Sequence, residues 1–260
     1  MKKFLTSLVV LFAVSLGIGA AENGKTTPPE VKKDSPATVQ KAPEQEKAKS
    51  PGWTPFQLVF YPGMPAYSEN STVYGLKLGV PLTGGNGSVT GVEASFLYSG
   101  TRDVTGIQAS WFGAALSYGL GPDGKGATVY GVQAGPATAF THSFYGLQAG
   151  GFSYVTQPSY GVQAGLGCVS RKCLDGFQVS CANIAANEFN GFQFGPVNYV
   201  YKIFNGFQLG AANIVSGDHF EGFQLGVVNV ATGKKGIQMG LVNVIADGKL
   251  PFMILFNISL

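Results

Sequence analysis

Apolar and polar positions alternate in short bursts along most of this chain, and the bursts recur about every fifteen residues. In the stretch that starts at Gly222, one side of an extended strand receives Phe223, Leu225 and Val227, and the other receives Gly222, Gln224 and Gly226, because successive strand side chains point to opposite faces. The stretch at Gly206 sets Phe207, Leu209 and Ala211 against Gln208 and Gly210, and the stretch at Gly161 sets Val162, Ala164 and Leu166 against Gln163, Gly165 and Gly167. Two glycines per unit, with many aromatic and β-branched residues, oppose a helix. Each unit therefore predicts one strand of roughly ten residues and a short turn. Turn formers such as Thr232-Gly233-Lys234-Lys235 and Asp247-Gly248-Lys249 stand between the strands.

The frame is a glycine, a hydrophobic residue and a polar residue. Glutamine fills the third slot at Gln108, Gln133, Gln148, Gln163, Gln178, Gln193, Gln208, Gln224 and Gln238. Earlier copies carry Lys77 and Glu93 there, and a degenerate first unit carries Gln57 behind Pro55. A second polar slot holds Asn183, Asn198, Asn213, Asn229 and Asn243. Asn257 continues that spacing, so Phe252 to Leu260 reads as a last unit without glycines. The wide gap between Gly106 and Gly131 predicts a further strand around Ala114 to Gly121. A period this short means that one small unit is copied many times.

Two architectures repeat one strand per unit: an antiparallel barrel and a parallel solenoid. After Gly75, the only charged residues inside the strand part of a unit are Lys77 and Glu93. Strands without charge on either face fit an outer-membrane barrel, with an apolar exterior and a polar or small interior. The strand length also fits the 9–11 residues that a tilted transmembrane strand needs. The expected fold is thus an all-β, antiparallel transmembrane barrel of about 12–14 strands, with a parallel β-solenoid as the alternative. The alternative draws support from the identical Gln and Asn slots, which in-register parallel stacking explains directly. Simple alternation also places the asparagines on the apolar side, which a barrel does not explain.

Outside the repeat the chain changes character. Met1-Lys2-Lys3, an apolar run from Phe4 to Ile18 and small residues up to Ala21 read as a signal peptide over 1–21. Residues 22–51 are rich in Lys, Glu and Pro and lack aromatic residues, the composition of a leader that does not fold. The repeat domain spans 52–260. A net charge of +3 without clustering gives no sign of nucleic-acid binding. Export allows a disulfide between Cys168 and Cys173, and small buried apolar fillers are the other reading of these cysteines.

The chain offers little for covalent chemistry. His142 and His219 belong to no nucleophile–base spacing, and Ser143 beside His142 points to the opposite strand face. No catalytic, cofactor-binding or metal-binding set is assigned, and no cofactor is expected. In a barrel, Gln57, Lys77, Glu93, Gln108, Gln133, Gln148, Gln163, Gln178, Gln193, Gln208, Gln224 and Gln238 would face the lumen, toward small polar solutes or toward each other. Lys77 and Glu93 occupy one slot of adjacent units and predict an ion pair. Tyr74, Tyr130, Tyr145 and Tyr160, each just before a unit glycine, suit interfacial belts against a lipid bilayer.

Two resemblances bear on location. Phe252, Ile254, Phe256, Ile258 and Leu260 alternate to the chain end, similar to the C-terminal strand of bacterial outer-membrane barrels. From about Tyr74 onward the chain resembles uncharacterised bacterial surface-repeat proteins with Gly-x-Gln-x-Gly-x-x-Asn runs, most clearly at Gly191 to Asn198, Gly206 to Asn213 and Gly222 to Asn229. That resemblance implies an exported protein of the outer membrane or cell surface in a Gram-negative bacterium, without a defined activity. The expectation is a porin-like or structural surface barrel, with a secreted or displayed solenoid that binds partners through a repetitive face as the alternative.

Overall fold

A computed structural model describes residues 52–117, 126–217, 219–233 and 235–259; the expected signal peptide and leader lie outside these residues. The strands are β1 (Thr54–Val59), β2 (Thr72–Gly79), β3 (Gly85–Ser95), β4 (Tyr98–Ser99), β5 (Thr101–Ser110), β6 (Ala114–Ser117), β7 (Thr128–Thr141) and β8 (Ser143–Val155). They continue as β9 (Ser159–Ser170), β10 (Cys173–Ala185), β11 (Glu188–Phe194), β12 (Val197–Val200), β13 (Ile203–Val215), β14 (His219–Ala231), β15 (Gly236–Ile245) and β16 (Phe252–Ser259). The strand expected near Ala114 is β6, and the rest of that expectation, 118–121, falls outside the described residues.

The chain winds as a parallel β-solenoid. Along the path β1-β2-β3-β5-β7-β8-β9-β10-β11-β13-β14-β15 each strand pairs in parallel with the next. The expected antiparallel transmembrane barrel is therefore overturned, and the alternative fold is the one observed. The register shows why. Gly176 lies between Gly161 and Gly191, and Gln178 lies between Gln163 and Gln193. From β5 to β15 the glutamine slot stacks like on like, which parallel pairing at one repeat per coil produces and antiparallel hairpins do not.

Coil closure follows from three local devices. In β10 the inward positions are Leu174, Gln178, Ser180, Asn183 and Ala185. Alternation holds from Leu174 to Ser180 and then slips before Asn183, leaving Cys181 outside. The chain bends at that slip, as at a bulge, and the bend turns the asparagine slot from the outside to the inside. A second bend sits at the unit glycine, and a third at the turn after Ala185. At Gly191 the backbone has φ 137°, and a Cβ there would lie 2.0 Å from the Gly176 carbonyl oxygen. At Gly210 a Cβ would meet the Gly195 oxygen at 2.0 Å and the Asn198 amide at 2.6 Å. Glycine is required at both bends because adjacent coils touch through their backbones.

Each coil encloses buried side chains. Val73, Val89, Val104, Val129, Phe144, Leu174, Phe189, Phe204 and Phe220 stack along one corner, and Val155, Ala185, Val200, Val215, Ala231 and Ile245 along another. The Phe189, Phe204 and Phe220 rings follow one another at 6.2 and 5.9 Å, nearly coplanar in orientation. At the C-terminal end β16 pairs antiparallel with β15, and Asn257 sits opposite Gln238. Phe252 to Ser259 is thus a cap rather than a last unit, and Asn257 does not continue the asparagine slot.

Alanine at position 191 should combine a strained φ with a backbone collision. Gly191→Ala is expected to lower the urea-unfolding free energy by about 3 kcal/mol. Gly52→Ala, where a Cβ meets open space, should stay within about 0.5 kcal/mol of the parent.

Candidate functional site

The residues assigned to a lumen line no water-filled channel. Gln57, Lys77, Glu93, Gln108, Gln133, Gln148, Gln163, Gln178, Gln193, Gln208, Gln224 and Gln238 are all buried inside the solenoid. A buried amide without partners costs several kcal/mol, so the interior has to satisfy these groups itself. It does so along the axis. Gln148 Nε2 donates to Gln133 Oε1 at 2.8 Å, Gln163 to Gln148 at 2.8 Å, Gln178 to Gln163 at 2.8 Å and Gln193 to Gln178 at 2.7 Å. The row runs unbroken from Gln108 to Gln238.

The asparagines form a second row. Asn183 Nδ2 donates to Asn198 Oδ1 at 2.8 Å, and the same bond links Asn198 to Asn213, Asn213 to Asn229 and Asn229 to Asn243. Asn183 also donates to the Phe194 carbonyl, and Asn198 to the Leu209 carbonyl, in the next coil. Each asparagine therefore ties the bend of its own coil to its neighbour. The two rows point in opposite senses. Every glutamine from Gln108 to Gln238 donates toward the N-terminal coils, whereas the asparagines donate toward the C-terminal ones. Hydrogen-bonded amides in a row polarise one another, and the opposed rows offset each other's dipole where they run side by side.

The charged copies terminate the glutamine row. Gln108 Nε2, the last donor, reaches Glu93 Oε2 at 2.9 Å. A carboxylate thus accepts from the positive end of a chain of amides, much as an anion sits at a helix N-terminus. Glu93 also accepts from the Thr101 backbone amide and from the Thr83 and Thr101 hydroxyls. Lys77 and Glu93 form no direct ion pair and are linked through Thr101 instead: Lys77 Nζ donates to Thr101 Oγ1 at 2.8 Å and to the Gly84 carbonyl at 2.8 Å. Burial holds the Lys77 ammonium below its usual pKa, and the Glu93 charge partly opposes that shift. At the other end Gln238 Oε1 is buried without a hydrogen-bond partner, beside the cap strand.

The remaining candidates are spread apart. Cys168, Cys173 and Cys181 are free thiols: Cys168 is buried, Cys173 half-buried and Cys181 exposed. Burial raises the Cys168 thiol to about 11. The Cys173 thiol rises to about 12 through burial, with the nearby Asp175 and Glu188 charges adding to it. Neither supplies a reactive thiolate near neutral pH. His219 contacts Asn205 at 3.1 Å on the surface, and His142 packs edge-on against Phe140. Among the described residues no group of three His, Cys, Asp or Glu side chains is placed to hold a metal ion.

The outside of the solenoid is divided by chemistry. The slot before the unit glycine carries Tyr130, Tyr145 and Tyr160, whose rings stack at 4.7 and 5.4 Å. In later coils the same slot carries Asp175, Asn190, Asn205 and Glu221. The tyrosines thus belong to a polar side and stack on each other. The two outward slots that flank the glutamine are apolar instead. Phe177, Phe192, Phe207 and Phe223 form a ladder with centroid separations of 6.0, 5.1 and 5.1 Å, next to a column with Val179, Phe194, Leu209 and Leu225. Phe56 and Leu58 extend this face at one end, and Ile258 and Phe256 at the other, all exposed. The sequence identified these side chains as apolar and assigned them to lipid; the feature it did not yield is a continuous apolar face on a solenoid.

Removing one charge of the Lys77–Glu93 network should cost more than removing both. Lys77→Met leaves the Glu93 carboxylate buried without its counter-charge and is expected to destabilise by about 3 kcal/mol. The double change Lys77→Gln and Glu93→Gln extends the glutamine row and should recover most of that loss, as read by chemical unfolding. Comparison with family models, curated proteins and solved structures found no match for this chain.

Proposed function

We propose that this protein is an exported β-solenoid displayed at a bacterial cell surface, where it serves as a binding scaffold without covalent chemistry. The single observation that carries the reading is the apolar outer face. Monomeric soluble proteins rarely expose contiguous apolar patches beyond a few hundred Å², yet apolar side chains occupy these two outward slots from β1 to β16. The interior supports a non-catalytic role, because its polar groups are engaged in holding coils together. The N-terminal sequence supports export, and the resemblance to surface-repeat proteins supports display. Porin function finds no support in a solenoid whose glutamines are buried against each other.

Display and water solubility can be read together. The protein should be digested by protease added to intact cells. The folded chain should also be recovered without detergent and keep a β-rich circular dichroism spectrum. Recovery only in detergent, with heat-modifiable migration, would contradict the proposal.

A further inference from the structure

We propose that the apolar face binds a second copy of this chain, face to face, with the two solenoid axes antiparallel. This inference rests on the reading of that face as a binding surface and names its occupant.

The first argument is a gradient of side-chain size. In the N-terminal half, the slot after the glutamine holds Ala94, Ala109, Ala134, Ala149 and Ala164, and the slot before it holds Val92, Ile107, Val132, Leu147 and Val162. In the C-terminal half the same slots hold Val179, Phe194, Leu209 and Leu225, and Phe177, Phe192, Phe207 and Phe223. From β3 to β14 one half of the face is low and the other is high, while β1 and β2 carry Phe56, Leu58, Leu76 and Leu78 in these slots. A two-fold axis along the strand direction at β9, the middle of the thirteen-strand path, keeps each slot opposite itself and exchanges the halves. It sets β3 against β14, β5 against β13, β7 against β11 and β8 against β10. Ala134 then faces Phe194, Ala109 faces Leu209, Ala94 faces Leu225, and Val132 faces Phe192. In the slot after the glutamine, each alanine from β3 to β8 meets a larger side chain from β10 to β14, whereas at the ends Leu78 meets Met239 and Leu58 meets Phe256. A parallel arrangement reverses the strands across the contact and would put Phe194 on Phe192 and Ala134 on Val132, with collision at one end and a gap at the other. The antiparallel contact is isologous and closed, so it yields a dimer and not a filament.

The second argument is area. Thirteen strands at about 4.8 Å spacing give a face about 58 Å long, and five residues at about 3.3 Å give a width of about 16 Å. The product, about 900 Å² per copy, matches the ~800 Å² per partner of a stable protein interface.

Sedimentation equilibrium of the full chain tests the proposal. The parent should be dimeric at micromolar concentration. Phe194→Ala opens a gap and Ala134→Phe overfills the opposing site, so each single change should weaken the dimer by about tenfold or more. The double variant exchanges the two sizes across the interface and should return to within about threefold of the parent. Circular dichroism confirms that each variant folds, because both side chains point outward. A monomeric parent, or a double variant weaker than either single one, overturns the dimer. So does a monomeric parent that co-floats with phosphatidylcholine vesicles, since lipid would then be the occupant. Protease accessibility on intact cells is independent of these outcomes, so the dimer can fail while surface display stands.

Discussion

The fold depends on one interaction, the hydrogen bond from a buried glutamine amide to the same amide one coil earlier. An amide inside an apolar core is costly unless it is paired, and here each glutamine finds its partner only if the next coil stacks in register. The row from Gln108 to Gln238 therefore specifies register along the axis, while Val, Leu and Phe columns specify only that the interior is apolar. A slip of one residue would turn the buried columns outward and leave a row of unpaired amides. The asparagine row adds a second lock at the bend, and its opposite sense prevents a large axial dipole from building up along the shared coils.

The ends of such a row are its weak points. The donor end at Gln108 is met by Glu93, whose charge is neutralised through Thr101 by Lys77. The acceptor end at Gln238 is covered by β16, which reverses direction and closes the last coil. Terminal units of a solenoid are expected to be atypical for this reason. The departures from the repeat at Lys77 and Glu93 end the glutamine row, and the antiparallel strand Phe252 to Ser259 ends the stack.

Strand content, the repeat length, the extra strand at Ala114 and the inward direction of the glutamines were legible in the sequence. Strand direction was misjudged for an identifiable reason. Charge-free strands were assigned to lipid, although a solenoid with an apolar face has the same composition. The in-register identity of Gln178 with Gln163 and Gln193 was the stronger signal, because only parallel stacking gives each amide its twin. The asparagine slot was placed outside because alternation was carried through Ser180 to Asn183 without the bend that reverses it. Asn257 was aligned by spacing with Asn243, whereas the antiparallel cap sets it against Gln238. Of the candidate site, the apolar residues were recognised but their continuous arrangement was not, since it depends on how coils stack.

The central claim is that glutamine amides are buried and bonded to one another from coil to coil. Nuclear magnetic resonance of protein labelled with ¹⁵N at the glutamine side chains tests it most directly. The account predicts amide protons that exchange slowly with solvent and show Overhauser contacts between successive members, such as Gln178 and Gln193. Rapid exchange without mutual contacts, as for amides facing a water-filled lumen, would contradict it.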